Sequence, residues 1–402
     1  MALGLGSGSA RAQAGADGLP TLVRGAKPAV GAVKEYYITC DPDSFQFIYQ
    51  HAAEDHFIPI TLTYNGRTWS DVRMRIRGDS SRSFPKKSLK IRFDDAAFVD
   101  GREVLNFNAE YFDRSYVRAV LASQIMRRAG QPCFAAEHVR LYLNGEFLGL
   151  YVDTENVDAH FLTTRGLDVR GNLYKAALDG ACLSIFDDVD FHWEKKTNVG
   201  QGRDDLRVLI ENLHGVADAD YYDFARENFD YEKMVNILAL NMLLANGSTY
   251  YHNYYMYHDV RGSGKWTMLP WDLDRTLGDY GSYWAYHRSS QPRLPDNPFV
   301  ERALLSEAIF GDVRARIDEL AQTLVNPTSL FPVLDSFGGL CMAALCRSCK
   351  AALCLAQAAR GPFALVIAPP QGIHRRSITC CSRGAVVRHG GGEVSVYAHA
   401  VV

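Results

Sequence analysis

The side chains best suited to chemistry are one asparagine and two aspartates at the ends of a predicted β-hairpin. Its strands run from Asn253 to His258 and from Lys265 to Asp272, joined through Arg261-Gly-Ser-Gly. In an antiparallel hairpin the start of the first strand lies beside the end of the second, so Asn253 and Asp272 should be neighbours. If the second strand continues, Asp272 and Asp274 project to the same side. An amide oxygen and two carboxylates suit Mg²⁺ or Mn²⁺, which prefer oxygen ligands.

Two other interpretations of these acids stay open. The aspartates could simply cap a surface turn. The stretch Met268-Leu-Pro-Trp-Asp-Leu-Asp-Arg-Thr also fits the haloacid dehalogenase signature, in which Asp272 would be a covalent nucleophile and Asp274 a general acid. That phosphatase chemistry needs a further acidic pair downstream, and no Asp-Asp pair follows Thr276.

A basic segment forms the second candidate site. Between Arg73 and Arg92 there are eight basic side chains and one acid, Asp79. A polar loop between two strands, Gly78 to Pro85, could bind polyphosphate through backbone N–H groups and cations. A solvated basic strand face is the alternative, and RNA binding is disfavoured because Phe84 is the only aromatic residue in the loop. The candidate phosphate-binding residues are Arg77, Gly78, Arg82, Lys86, Lys87 and Lys90.

A third group of polar residues follows another predicted hairpin, Val139 to Glu155, which turns at Asn144-Gly145. Its last residue, Glu155, could pair with a lysine that holds phosphate, and Lys175 in Asn172-Leu-Tyr-Lys is a candidate for that lysine. A surface charge at the end of a strand is an equal alternative.

The pattern along the chain predicts an α+β protein. Residues 1–34 are rich in Gly, Ala and Pro and are expected to form a flexible leader, with no convincing signal peptide. Residues 35–200 are predicted to be rich in strands, with a hairpin turning at Asn65-Gly66 and a helix capped by Asp113. Residues 201–340 are predicted to be mostly helical and to contain the hairpin 253–274. The helix after Asp230 is apolar nearly all round, so it should be central.

The last segment, residues 341–402, has a biased Ala, Cys, Arg and Gly composition and could lie outside the fold. Six of the nine cysteines fall between Cys341 and Cys381. Their spacing lacks the paired pattern of structural zinc sites, so buried cysteines on a helix or an unrelated tail are favoured. The net charge of −3 gives no global attraction to nucleic acid. No apolar run reaches the roughly 20 residues that span a bilayer.

Taken together and in this order, the motifs resemble the spore coat protein H (CotH) family of atypical protein kinases. The resemblance covers roughly residues 36–310. The matching stretches are Arg75-Ile-Arg-Gly-Asp-Ser-Ser-Arg, Pro85-Lys-Lys-Ser-Leu-Lys, Leu141-Tyr-Leu-Asn-Gly-Glu, Asn172-Leu-Tyr-Lys, His252-Asn-Tyr-Tyr-Met-Tyr and Pro270-Trp-Asp-Leu-Asp-Arg-Thr-Leu-Gly.

The resemblance implies a kinase-like fold, with ATP and Mg²⁺ or Mn²⁺ between a strand-rich N-terminal lobe and a helical C-terminal lobe. It implies that Asp272 and Asn253 bind the metal. Protein kinases place the catalytic aspartate five positions before that asparagine. Here this position holds Ser248, where the family usually has aspartate, and His252 or the acids near Asp279 are candidate substitutes.

The resemblance further implies Ser/Thr phosphorylation of a protein substrate, weakened by Ser248, and location on spore or cell surfaces or secretion. A non-catalytic nucleotide-binding coat protein of the same fold is the alternative. A phosphatase that uses Asp272 is a weaker one.

Overall fold

The computed structural model describes residues 33–94, 99–277 and 297–345, and its side chains up to residue 337. Nearly all of the predicted leader and Asp279 lie outside the described residues. The cysteine-rich tail beyond residue 345 lies outside them too, and the final helix runs up to that point.

Seven strands close into a barrel in the order β1-β2-β3-β4-β5-β7-β6. The barrel closes where β1 pairs with β6 in parallel, and its other strand pairs are antiparallel. The strands are β1 Lys34–Thr39, β2 Ile58–Tyr64, β3 Arg67–Arg77, β4 Ser88–Phe93, β5 Val104–Asn108, β6 Ala136–Leu143 and β7 Glu146–Thr154.

The alternating apolar side chains of β3 help to fill the interior of the barrel. Val72, Met74 and Ile76 are buried, and the intervening arginines lie on the other face because side chains alternate along a strand. The chain reverses before β3 at Asn65, whose φ of 48° is the left-handed conformation that a two-residue hairpin turn requires. The hairpin predicted at Asn65-Gly66 is therefore present, as is the one at Asn144-Gly145.

A second, antiparallel sheet has the order β11-β10-β8-β9. The sheets divide earlier than the boundary predicted at residue 200, because β8 and β9 pair with the later hairpin and not with the barrel. The strands are β8 Asn172–Ala176, β9 Trp193–Lys195, β10 Tyr254–His258 and β11 Trp266–Pro270.

Helices pack against both sheets. The helix after Asp230 is buried on nearly every side, as its composition predicts, and packs against β11. The helices are α1 Pro42–Gln50, α2 Arg118–Arg128, α3 Ala159–Thr164, α4 Val189–His192, α5 Asp204–Gly215, α6 Tyr221–Asn228, α7 Tyr231–Leu243, α8 Pro298–Leu305, α9 Glu307–Thr323 and α10 Pro327–Leu345.

The start of α2 differs from the prediction. Asp113 is not its N-cap residue, because the helix begins at Arg118 and Val117 holds the cap position. The Asp113 carboxylate nevertheless accepts the Arg118 N–H at 2.8 Å across the intervening turn. It thus stabilises the first turn of α2 from outside the helix, since the early N–H groups of a helix have no partners within it.

The protein is therefore of the α+β class, with separate barrel and sheet-plus-helix regions. Among the helices of the described ranges, none combines the length and the apolar character needed to cross a bilayer.

Candidate functional site

The β10–β11 hairpin brings the two ends of the predicted metal site together. Tyr254 pairs with Pro270, so Asn253 and Asp272 flank the same end of the ladder. The prediction that the strand continues through Asp274 is wrong. Strand β11 ends at Pro270, Asp272 takes a left-handed conformation with φ of 56°, and residues Leu273–Arg275 form a short 3₁₀ turn.

The two aspartates are nevertheless close in space. Burial raises the pKa of Asp274 well above its ordinary value, and the negative charges of Asp272 and Glu110 raise it further. Glu110, which follows β5, is 6% exposed. Burial, Asp113 and Asp272 raise the pKa of Glu110 as well. The barrel and the second sheet thus contribute carboxylates to one acidic group.

Backbone strain is concentrated at the same place. Asn253, Asp272 and Glu110 have φ values of 58°, 56° and 48°. Left-handed backbone in residues other than glycine costs on the order of 1–3 kcal/mol and persists where the surroundings enforce it. Asn and Asp tolerate this conformation better than Glu, so Glu110 is the most constrained of the three.

Most oxygens of this group have no hydrogen-bond partner among the described residues, although the Glu110 side chain has one hydrogen bond, with Asn108. Within the described chain, the carboxylates of Asp272 and Asp274 and the amide oxygen of Asn253 accept no hydrogen bond, and the buried Oε2 of Glu110 has no partner. Asp272 and Asp274 are half-buried and Glu110 is buried, and carboxylates withdrawn from water without a partner are costly unless a cation joins them. The donor set therefore fits Mg²⁺ or Mn²⁺, which prefer carboxylate, amide and phosphate oxygens.

The protein donors are few. In the described ranges no group of three or more His, Cys, Asp and Glu side chains is arranged to hold a metal ion. Two aspartates and an amide are an incomplete coordination shell for an octahedral cation, which usually keeps waters and substrate phosphates as further ligands.

Two of the predicted phosphate-binding cations, Arg77 and Lys175, interact with Asp272, and Lys90 lies close to Arg77. Lys90 of β4 and Lys175 of β8 each interact electrostatically with Arg77, at the end of β3, and with Lys196 and Glu194. Burial and the neighbouring positive charges lower the pKa of Lys90 to about 8.

Burial and neighbouring positive charges also lower the pKa of Lys175, although the negative charges of Glu194 and Asp272 act in the opposite direction. Neither ammonium group donates a hydrogen bond to a described residue. The guanidinium of Arg77 is bound to the Asn108 side-chain oxygen.

The other three predicted cations hold the loop and barrel together. Arg82 donates to Ala53 O at 3.0 Å and pairs with Asp55 at 2.5 Å. Lys86 donates to Ala109 O and Tyr116 Oη, both at 2.9 Å. Lys87 donates to the carbonyl of Arg82. Their polar groups are therefore already engaged by protein atoms.

Gly78 starts this loop with φ of 107°, a backbone conformation that residues with a side chain rarely adopt. A Cβ at this position would lie 2.0 Å from Ser81 Oγ. The loop lines an open depression with Ala53 and Asp55. The structure thus gives Gly78 a conformational role in the loop.

Glu155 lies elsewhere in the structure. Its carboxylate accepts the Ala135 N–H at 2.8 Å and pairs with Arg165 at 2.5 Å. The partner of Glu155 is therefore an arginine and not a lysine, because the chain after β7 turns back toward α3. Lys175 has an acid opposite it on the neighbouring strand, Glu194 of β9.

Ser248 lies in the loop between α7 and β10, 5% exposed. Asn241 on α7 anchors this loop, since it accepts from Asn246 at 3.0 Å and donates to Tyr250 Oη at 2.9 Å. Asn253 Nδ2 donates to Ser248 Oγ at 3.1 Å. The structure therefore places the predicted catalytic position in contact with a predicted metal ligand.

His252 Nε2 lies 3.2 Å from Ser248 Oγ, and its Nδ1 contacts the carboxylate of Asp179. Sequence reasoning missed three residues of this region: Asp179, Glu110 and Glu194. Asp179 precedes a glycine in a segment without periodicity, and Glu194 lies in a three-residue strand. For Glu110 the only signal was its place between a strand and the Asp113 turn.

The class of protein is α+β, with a strand barrel, a second sheet and an acidic group where the two meet. Residues 74–347 match the CotH kinase protein family, and the chain belongs to that family. The inner spore coat protein H of Bacillus subtilis (strain 168) is 27% identical over 251 residues, which is 60% of this chain and 68% of that protein.

Two solved structures share weaker likeness. The proinflammatory kinase CtkA of Helicobacter pylori is 8% identical, with coverage of 75% of this chain and 88% of that chain. The HipA–HipB–operator DNA complex of Shewanella oneidensis MR-1 is 11% identical, with coverage of 76% and 79%. Both have TM-scores of 0.25.

Proposed function

We propose that this CotH family member binds ATP with Mg²⁺ or Mn²⁺ and transfers the γ-phosphate to Ser or Thr residues of a protein substrate. The observation that carries the proposal is that the region contains both acidic and basic side chains without hydrogen-bond partners. Asp272 and Asp274 have oxygens without hydrogen bonds, and Lys90 and Lys175 have ammonium groups without acceptors among the described residues. A metal-bound polyphosphate supplies what both sets lack.

The proposed arrangement is kinase-like, with the nucleotide between the barrel and the second sheet. Asn253, Asp272 and Asp274 would hold the metal, and Arg77, Lys90 and Lys175 would hold phosphate oxygens. A divalent ion held by these residues would neutralise the negative charge of the phosphates. The basic residues orient the phosphates, and positioning of this kind supplies most of the catalysis in phosphoryl transfer.

Ser248 stands in place of the usual catalytic aspartate, and it is compatible with two functions: a slow kinase and a non-catalytic nucleotide-binding coat protein. A serine does not accept a proton as a carboxylate does, so we expect slow transfer. Membership of the CotH family favours both of these functions over the phosphatase alternative.

A thermal shift measurement with ATP and Mn²⁺ tests the binding step. At a ligand concentration 100 times Kd, the native state gains about 2.7 kcal/mol, so the melting temperature of the wild type should rise. Asp272→Ala should remove the rise. Asp43→Ala makes the same exchange at an exposed position in the first turn of α1 and should retain it. An equal rise in Asp272→Ala, or none in the wild type, would refute the proposed site.

Transfer is tested separately with radiolabelled ATP and a generic protein acceptor. Ser248→Asp should increase transfer over the wild type because it supplies a carboxylate at the position of the base. A wild type that binds ATP but transfers nothing would support the non-catalytic alternative.

A further inference from the structure

Three buried tyrosines lie on β10, and their hydroxyl groups differ in their partners. Tyr254 Oη donates to Ala181 O at 2.7 Å, and Tyr257 Oη donates to Asp168 O at 2.9 Å. Tyr255 is 3% exposed, and within the described residues its hydroxyl has no hydrogen bond. The hydroxyl of a buried tyrosine usually finds a partner, because a buried donor without one destabilises the fold. Tyr255 is therefore a donor without an acceptor.

The register of the second sheet places Tyr255 in one row with Lys175. Tyr255 is directly opposite Lys175 of β8, and Lys175 is directly opposite Glu194 of β9. Residues opposite each other in antiparallel strands have their side chains on the same face. Asp205 of α5 binds the hydroxyl of Tyr174, the neighbour of Lys175 in β8, so α5 covers the other face. The row therefore faces away from α5.

The charges around this row belong to the proposed phosphate site. Tyr255 interacts electrostatically with Arg77 and Asp272, and Lys175 interacts with the same two residues. The other charged groups that interact with Tyr255 are Glu194 and Asp158. The free hydroxyl thus lies beside the cations and the acid between which the polyphosphate is proposed to bind.

Trp271 packs against the ring of Tyr255. The two rings meet edge to face, with 5.7 Å between their centroids and an angle of 88° between their planes. Trp271 is itself buried and immediately precedes Asp272 in the chain. A tyrosine that is packed in this way presents its hydroxyl to a ligand with little loss of conformational entropy on binding.

We propose that the Tyr255 hydroxyl donates a hydrogen bond to a phosphate oxygen of the bound nucleotide, beside Lys175. This inference rests on the proposed ATP-binding function and adds a neutral donor to its charged phosphate ligands. No proton is transferred, since a tyrosine hydroxyl stays protonated at neutral pH. The free protein leaves this hydroxyl without an acceptor, whereas a phosphate oxygen is a strong acceptor with a negative charge.

The same strand offers matched controls. Tyr255→Phe removes only the hydroxyl and keeps the ring against Trp271. Tyr254→Phe and Tyr257→Phe make the same exchange at residues whose hydroxyls are bound to backbone carbonyls. In ligand-free protein these two variants should melt about 2–4 °C below the wild type, because each leaves a carbonyl without its donor. Tyr255→Phe should melt at the wild-type temperature or above it.

Calorimetry in the presence of Mn²⁺ then measures the affinity for two probes, ATP and inorganic tripolyphosphate. Tyr255→Phe should weaken the binding of both by about tenfold or more, since hydrogen bonds to charged groups are among the stronger ones. Tyr254→Phe and Tyr257→Phe should bind both probes as the wild type does. An equal loss for the two probes identifies phosphate as the acceptor, because tripolyphosphate has no sugar or base.

The outcomes separate this inference from the proposed function. If the wild type does not bind ATP with Mn²⁺, the proposed function fails. If the wild type binds ATP and Tyr255→Phe binds both probes equally well, that function stands and the inference is wrong. A loss for ATP alone, or no binding of tripolyphosphate by the wild type, would assign the contact to the sugar or base and also overturn the inference. So would a ligand-free Tyr255→Phe that melts as low as Tyr257→Phe, because the hydroxyl would then have a partner in the free protein.

Discussion

Asp205 on α5 braces the sheet that carries Lys175, and its replacement by asparagine gives a quantitative test of that role. Its carboxylate accepts three hydrogen bonds from the back of the sheet, at 2.8 Å from Asn172, 2.5 Å from Tyr174 and 2.8 Å from His258. Burial acts to raise the pKa of Asp205, but these hydrogen bonds outweigh it and lower the pKa to about 2 from 3.8.

The size of the effect follows from that pKa. At about 1.4 kcal/mol per pKa unit, the difference corresponds to about 2 kcal/mol of stability at neutral pH. Because 21% of the Asp205 side chain is exposed, solvent screening reduces this to about 1–2 kcal/mol. The folded-state pKa is lower than the unfolded one, so the stabilisation is present above about pH 4 and is lost as the pH falls toward 2.

Urea unfolding of the wild type and Asp205→Asn from pH 7 down to pH 3 measures the effect. The variant should be less stable at pH 7, and the difference should narrow below about pH 4. Asp168→Asn is the control, since Asp168 also has a pKa of about 2 but pairs with the largely exposed Arg170 and should matter less. A difference at pH 3 that is as large as the one at pH 7, or no difference at pH 7, would refute the role assigned to Asp205.

Three further predictions concern the site and its surroundings. Lys90→Met and Lys175→Met should each weaken ATP affinity in calorimetry, whereas Arg82→Met should lower the melting temperature and leave the affinity close to wild type. Equal losses of ATP affinity in all three variants would contradict the proposal that the two lysines bind phosphate while Arg82 has a structural role. Asp274→Asn should raise the melting temperature in metal-free buffer, because burial and the neighbouring acids disfavour the ionised form of Asp274, and should weaken Mn²⁺ binding. A lower melting temperature would contradict the interpretation that these acids lack a compensating partner. Glu155→Gln should cost about 1–3 kcal/mol in urea unfolding, since it breaks a half-buried ion pair, without changing ATP affinity.

Local sequence patterns predicted much of the fold. The alternation of Val72, Met74 and Ile76 and the turn at Asn65 are encoded by neighbouring residues, so the hairpin could be identified directly. The closure of the barrel could not, because β1 meets β6 in parallel across more than a hundred residues of chain and no local signal specifies that pair. The assignment of β8 to the second sheet is non-local for the same reason.

The candidate site also contains residues that local sequence patterns could predict and residues that they could not. Asn253 and Asp272 were predictable as neighbours because one hairpin joins them. Glu110 and Asp179 come from other segments and approach through tertiary packing, so their proximity required the structure. The basic loop shows the reverse problem: Lys86 looks like a phosphate ligand in the sequence, yet its ammonium group is bound by Ala109 O and Tyr116.

Binding of Mn²⁺ in the presence of ATP, followed by the paramagnetic resonance signal of the free ion, addresses the proposed metal site most directly. With ATP present, the wild type should remove more free Mn²⁺ than the same concentration of ATP removes without protein, because the protein donors and the phosphates together complete the shell, and Asp272→Asn and Asp274→Asn should each lose most of that additional uptake. Uptake by either variant equal to that of the wild type would contradict a cation site at the end of this hairpin.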